Sequence, residues 1–193
     1  GYRAFYCMKH EGTQGQYAEF LNQLTELQAA NRYPVVTNEE TNRFAISGTY
    51  PSISAAAPDR ACNWLSWRDG CAYLAWAGLR PMTELEYEKT CRGPALPVPN
   101  EYAWGNAAIV QQTGHAGTDG SGAETATAAS GTANCNYNNG ISGPVRAGIY
   151  ATATSTREQA GAGYWGILEL TGNLFERCKT VGNDAGRTFD GVH

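Results

Sequence analysis

The spacing of apolar residues and a capping pair predict a helix near the start of the chain. Thr13 is followed three positions later by Gln16, a capping-box pair that satisfies free backbone N–H groups at a helix N-terminus. The helix is predicted from about Gln14 to Ala29. Its apolar residues recur on one face: Tyr17, Phe20, Leu21, Leu24 and Leu27.

Two further helices carry the same signature. Ser66 and Asp69 start the second, which ends at Gly78, since glycine readily takes the left-handed conformation of a helix stop. Thr83 and Glu86 start the third, which closes at 92–93.

The second half of the chain predicts little regular structure. Residues 111–143 are mostly Gly, Ala, Thr, Ser and Asn, and no helix or strand is legible there. A span of that length in a compact domain is typical of a disordered insertion, or of a functional loop held by something such as a bound metal. Weak alternation over 144–150 and a short apolar run over 165–170 predict two strands.

Composition narrows the class of protein. The 193 residues include 14 Lys and Arg against 18 Asp and Glu, so we expect no nucleic-acid partner, because phosphate neutralisation needs clustered basic residues. The longest mostly apolar stretch, 70–79, is shorter than the roughly 20 residues of a membrane span. Charged residues make up 17% and glycines number 23, a mixture typical of loop-rich proteins outside the cytoplasm. We therefore expect an extracytoplasmic or secreted location.

Four segments, in order, resemble the sulfatase-modifying-factor family, whose founding members are formylglycine-generating enzymes. The segments are residues 11–20 (EGTQGQYAEF), 63–73 (NWLSWRDGCAY), 80–93 (RPMTELEYEKTCRG, followed by WGN at 104–106) and 166–177 (GILELTGNLFER). Tyr87 and Arg177 stand where the family has Trp, which indicates a divergent subfamily.

The resemblance implies an α+β, C-type-lectin-like fold, with helices around a small, mainly antiparallel sheet and much irregular loop. We expect residues 1–193 to form one such domain, with 111–143 as a long loop within it. Family members continue past this point into a Gly-rich strand and a closing segment, so the domain is expected to be incomplete at its C-terminus.

The resemblance transfers no catalytic residue. Family enzymes use two cysteines of the C-terminal part, which bind copper and activate oxygen to oxidise a substrate cysteine. The cysteines here match none of that motif: Cys7, Cys62, Cys71, Cys91, Cys135 and Cys178. A zinc site is poorly supported, because only three His occur and the Cys7–His10 pair is at most a half-site.

Calcium is the metal that the resemblance supports. Family enzymes carry two calcium sites, and calcium prefers oxygen ligands and tolerates irregular loops. Matched by motif, one site would use the Glu169 side chain, the Gly172 and Leu174 carbonyls and the Glu176 carboxylate. The other would use Asn134, the Cys135 carbonyl, Asn139 and the Ile141 carbonyl. The alternative is that the two glutamates are solvated or capping groups and that 138–140 is a tight turn.

Two functions remain open. The first is a non-catalytic ligand-binding module that presents a protein or carbohydrate ligand with its loop face; some family relatives are variable binding proteins diversified by retroelements. Most aromatic residues are expected in the core, with Tyr102 and Trp104 as partly exposed ligand-stacking candidates. The alternative is a copper-dependent formylglycine-generating oxidase acting on a sulfatase cysteine, with its catalytic cysteines in the missing C-terminal part.

Overall fold

The computed structural model describes residues 3–37, 42–137 and 141–188, which combine α-helices with very short β-strands. The elements are α1 (Gln14–Gln23), α2 (Glu26–Arg32), β1 (Ile46–Ser47), β2 (Ser54–Ala55), α3 (Trp67–Trp76), α4 (Glu84–Arg92), β3 (Gly114–Ala116), β4 (Thr125–Thr127) and α5 (Asp184–Thr188). Within these residues no helix is both long and apolar enough to span a membrane.

The predicted capping boxes start three helices. Thr13, Ser66 and Thr83 each accept a hydrogen bond from the backbone N–H three residues on, and the side chain at that position bonds back to the cap. The predicted stops are also confirmed, because Gly78 and Gly93 have φ of 72° and 63°.

The first helix is shorter than predicted, because the chain turns at Leu24, whose backbone is extended. Thr25 and Gln28 form a further capping box that starts α2 in a new direction. The hydroxyl of Tyr50 donates to the Leu24 carbonyl at 3.0 Å and stabilises the break. Leu27, predicted on the buried face, is therefore 73% exposed.

The main core lies where α1 packs against α3 and the β1–β2 pair. Tyr17, Phe20 and Leu21 are at most 1% exposed. The Phe20 ring contacts that of Tyr73 edge-on, with centroids 5.7 Å apart. Burying each such side chain stabilises the fold by about 1.5–3 kcal/mol.

The strands form two separate antiparallel pairs, β1 with β2 and β3 with β4. The strands predicted over 144–150 and 165–170 are absent, so both predictions were wrong. Residues 147–150 are turns, and the run over 165–170 is interrupted by positive φ at Gly166 and Glu169. The pattern of apolar residues in the sequence does not indicate where turns or positive φ angles interrupt a strand.

The 111–143 segment contains the β3–β4 hairpin, which was not predicted because three-residue strands of Gly, Ala, Thr and His leave no period. Ion pairs attach this hairpin to the rest of the fold. Arg43 bonds Glu124, whose carboxylate is fully buried, at 3.0 Å, and Arg60 bonds Asp119 at 2.7 Å. These contacts join residues far apart in the chain.

Candidate functional site

A tight turn at 172–174 is built around the buried carboxylate of Glu11. The Asn173 side-chain amide and the Leu174 N–H both donate to Glu11, the latter at 3.0 Å. The other side-chain atom of Asn173, Oδ1, accepts the Val145 N–H at 2.8 Å. Asn173 and Gly172 have φ of 61° and 86°, and a Cβ at position 172 would lie 2.3 Å from the Cys135 sulfur. Only glycine fits there.

Glu169 lies beside this turn and is 2% exposed. Both of its carboxylate oxygens accept the Gly148 N–H at 2.9 Å. Its φ of 60° is uncommon for a residue with a side chain, so the backbone here is held by its surroundings.

Glu11, Glu169 and Glu176 interact electrostatically as one acidic cluster. Burial raises the pKa of Glu169 to about 7 and that of Glu176 to about 8, and repulsion by Glu169 adds to the effect on Glu176. Burial, followed by repulsion from the other two carboxylates, raises the pKa of Glu11 well above its ordinary value. Among the described residues none of the three forms an ion pair with Lys or Arg. The cluster thus has the charge and oxygen donors suited to a hard cation.

The first predicted calcium ligand set falls in this cluster. The turn that carries the Gly172 and Leu174 carbonyls lies between Glu169 and Glu176 in sequence and is fixed by Glu11. These residues fit calcium by donor chemistry, and the site stays a prediction. Sequence reasoning missed Glu11, because its partners Asn173 and Leu174 are 162 and 163 positions away.

The described residues of the second predicted calcium site already take part in hydrogen bonds within the protein. The Asn134 side chain accepts the Val110 N–H at 2.9 Å, and the Cys135 carbonyl accepts the Gln112 N–H at 2.8 Å. The Ile141 carbonyl accepts from the Asn136 amide at 3.4 Å. Asn139 lies outside the described residues, so this site also stays a prediction.

The thiols form no reactive centre among the described residues. Burial raises the pKa of every cysteine, to about 11 for Cys91 and Cys178 and about 12 for Cys62 and Cys135. The Cys135 thiol donates to the Thr171 carbonyl at 3.2 Å. The group of possible metal ligands that converges within the described chain contains no cysteine; it consists of His115, Asp119 and Glu124. The thiolate is the form of cysteine that binds copper, and burial favours the protonated form of these thiols.

The two predicted aromatic ligand contacts differ in exposure. Trp104 is only 3% exposed and its indole N–H donates to the Ala108 carbonyl at 2.8 Å, so the expected partial exposure was wrong for this ring. Tyr102 is half-buried and lines a cavity of about 360 Å³ with Pro97 and Val98. Ligand binding by either residue stays a prediction.

A larger groove, of about 1390 Å³, is lined by residues 136–137 and 141–144, by the 170–178 segment and by the first turns of α4. Phe175, on its wall, is 96% exposed, and Tyr137 is 52% exposed. Trp64, with a φ of 64°, also lines it. Sequence reasoning missed this groove because the exposure of Phe175 leaves no periodic signal.

Comparison with known proteins gives a family match and two weak relatives. Residues 2–187 match the family of the Sulfatase-modifying factor enzyme 1-like domain. Hercynine oxygenase of Mycolicibacterium thermoresistibile is 38% identical over 63 residues, which cover 32% of this chain and 14% of that protein. Formylglycine-generating enzyme of Bos taurus is 27% identical over 129 residues, which cover 53% of this chain and 34% of that protein. The chain thus spans about a third or less of these relatives. No solved structure matches significantly.

Proposed function

Because the chain belongs to the Sulfatase-modifying factor enzyme 1-like domain family, we propose that its described part acts as a calcium-stabilised ligand-binding scaffold without a catalytic thiol of its own. The observation that carries the binding role is the exposed Phe175 ring on the wall of the large groove. Large apolar rings held in solvent beside a groove are typical of interaction sites.

The acidic cluster supports this role by fixing the groove wall. Glu169, Glu176 and the carbonyls of Gly172 and Leu174 would hold calcium, which supplies positive charge where burial otherwise penalises ionised carboxylates. Glu11 orients the turn through the Leu174 N–H. Phe175 follows that turn directly, so a fixed turn determines the backbone position from which its ring projects into the solvent.

The ligand we propose for the groove is a protein or a carbohydrate. Aromatic rings supply apolar faces that stack on a sugar or pack against a side chain. The groove exceeds the roughly 300–1,000 Å³ of typical small-molecule pockets, which favours an extended ligand.

The second candidate is a formylglycine-generating oxidase, for which the family resemblance implies copper. The names of the two relatives, an oxygenase and a formylglycine-generating enzyme, favour oxidative chemistry but name no metal. In that case the reactive thiols come from outside the described residues, because burial holds the thiols described here in their protonated form.

One assay separates the two candidates. The chain is incubated with copper, oxygen, a reductant and a sulfatase-derived peptide that contains one cysteine, and the peptide is followed by mass spectrometry. We expect the peptide mass to stay unchanged apart from thiol oxidation that equally occurs with copper alone. Protein-dependent formation of the aldehyde product contradicts the non-catalytic proposal and establishes the oxidase.

A further inference from the structure

A small pocket, of about 290 Å³, lies against one face of α3, and we call it the α3 pocket. Trp67, Gly70, Cys71 and Leu74 line it, and their spacing places them on the same side of the helix. The rest of its apolar wall includes Trp64, Pro81 and Phe175. Its volume is close to the lower limit of small-molecule pockets, roughly 300 Å³, and so suits a ligand with a single ring.

Gly70 leaves this pocket open in the middle of the helix. Its N–H donates to the Ser66 carbonyl at 3.0 Å, so it occupies regular helical backbone, where glycine is less favourable than alanine. Its φ is not positive, and a Cβ at position 70 would meet no atom within 4 Å beyond its chain neighbours and its own helix backbone. Neither backbone conformation nor packing therefore requires glycine here. The space beside Gly70 is available to a ligand.

Arg177 is the charged residue among the described residues that line the α3 pocket. It is exposed, and its guanidinium forms no ion pair with a described carboxylate. A guanidinium binds a carboxylate through two parallel hydrogen bonds. An unpaired guanidinium beside an apolar pocket therefore favours a ligand that is apolar and carries a negative charge.

The carboxylates near Arg177 do not line the α3 pocket. Asp69 of α3 bonds Ser66 and forms an ion pair with Arg32 at 3.5 Å. Arg177 also lines a neighbouring cavity of about 590 Å³, whose acidic lining residues are Glu11, Glu86 and Glu176. These carboxylates repel an anion from the neighbouring cavity, whereas the α3 pocket presents only the positive charge of Arg177.

We propose that the α3 pocket binds a small apolar group that carries a carboxylate, with the apolar group beside Gly70 and the carboxylate on the Arg177 guanidinium. The pocket shares Trp64, Leu174 and Phe175 with the large groove. The carboxylate can therefore belong to a free acid or to the C-terminal residue of a peptide that lies in the groove. In the second case the proposal rests on the ligand-binding role proposed for the groove and adds the chemical class of one recognised group.

The probe is hydrocinnamate, a phenyl ring joined to a carboxylate by two methylene groups. It is titrated into isotope-labelled protein, and the indole N–H signals of Trp64 and Trp67 are followed by two-dimensional NMR. The corresponding amide has the same shape without the charge, and the corresponding amine carries a positive charge. We expect the acid to bind about fivefold more tightly than the amide, the scale of an exposed Arg–carboxylate pair, and the amine to bind most weakly. Equal affinity for acid and amide, or no shift at about 10 mM acid, overturns the proposal.

Protein variants test the two features separately. Arg177→Gln should abolish the preference for the acid, and Arg177→Lys should keep most of it. Arg68→Gln is the matched control, because Arg68 is exposed on α3, does not line the pocket and gives the same change in net charge. Gly70→Leu should fill the pocket and abolish binding of acid and amide alike, without lowering the melting temperature, because leucine is the better helix former. Unchanged acid binding by Gly70→Leu, or an equal loss of preference in Arg68→Gln, overturns the proposal.

A peptide distinguishes the two sources of the carboxylate. The acetylated tetrapeptide Gly-Ser-Gly-Phe is compared with its C-terminal amide. Binding tighter than that of hydrocinnamate, lost in the amide, supports a peptide C-terminus, and binding equal to or weaker than that of hydrocinnamate supports a free acid. Tyr137 lines the groove and not the α3 pocket, so its backbone signal reports groove binding separately. Failure of the pocket proposal is thus distinguishable from failure of the role proposed for the groove.

Discussion

The electrostatic effects of burial in the acidic cluster can be tested at a single residue, Glu176. Glu176 lines both the large groove and a second cavity, of about 590 Å³, and burial raises its pKa to about 8. A carboxylate held in this way is destabilising when it is ionised without a cation and stabilising when a cation is bound.

Replacing Glu176 with Gln should therefore have opposite effects in the two conditions. In EDTA at pH 8 we expect Glu176→Gln to raise the free energy of unfolding by about 1–3 kcal/mol, because a repelled buried charge is removed. In millimolar calcium the variant should lose most of the calcium-induced rise in melting temperature. Glu19→Gln, at an exposed position, is the control and should change neither value. A variant that keeps the full calcium response would remove Glu176 from the ligand set.

Pairs of residues that are close in sequence can be predicted from the sequence, whereas pairs that are distant in sequence cannot. The Thr83–Glu86 capping pair is local. It can be predicted because a capping box requires the two residues to be three positions apart. The Glu11–Asn173 and Arg43–Glu124 contacts join residues 162 and 81 positions apart. No local pattern encodes such pairs, so the resemblance at 169–176 predicts two of the three glutamates of the acidic cluster and misses Glu11.

At the scale of elements, α2 shows how a capping pair overrides an apolar period. Leu24 and Leu27 continue the spacing of α1, but the Thr25–Gln28 box starts a separate helix. The box was present in the sequence as the same spacing of three that marked the other helices. The apolar period alone predicts one continuous helix there, whereas the capping pair starts a new one.

The cap of α2 should contribute measurably to stability. Thr25→Ala removes the acceptor for the Gln28 N–H and should cost about 1 kcal/mol in urea unfolding. Thr154→Ala replaces an exposed threonine outside any helix and serves as control. If both substitutions have the same effect, the cap does not stabilise α2.

At the scale of the whole molecule, the fold class was predictable and its connections were not. The family match confirms the C-type-lectin-like prediction, and the helices and antiparallel strand pairs agree with it. The hairpin within 111–143 could not be predicted, because ion pairs to Arg43 and Arg60 hold it in place of an apolar face. In this half of the chain, ion pairs between distant residues hold the hairpin, and such pairs leave no periodic apolar pattern in the sequence.

The acidic cluster also determines how stability depends on pH. The folded pKa values of about 7 and about 8 for Glu169 and Glu176 lie above the ordinary 4.5, so the folded state holds protons that the unfolded state has released. Stability of the metal-free protein is therefore greatest below about pH 4.5 with respect to these groups. It falls as pH rises, by roughly 1.4 kcal/mol per pH unit for each carboxyl, up to about pH 7 for Glu169 and up to about pH 8 for Glu176.

The melting temperature measured in EDTA and in millimolar calcium, at pH 5 and pH 8, tests the calcium-stabilised scaffold most directly. In EDTA we expect a lower melting temperature at pH 8 than at pH 5. Calcium should raise the melting temperature by roughly 5 °C at pH 8 and by less at pH 5, where protons compete for the same carboxylates. Magnesium at the same concentration is the control for ionic strength. Melting temperatures that calcium and EDTA leave unchanged at both pH values would contradict the account.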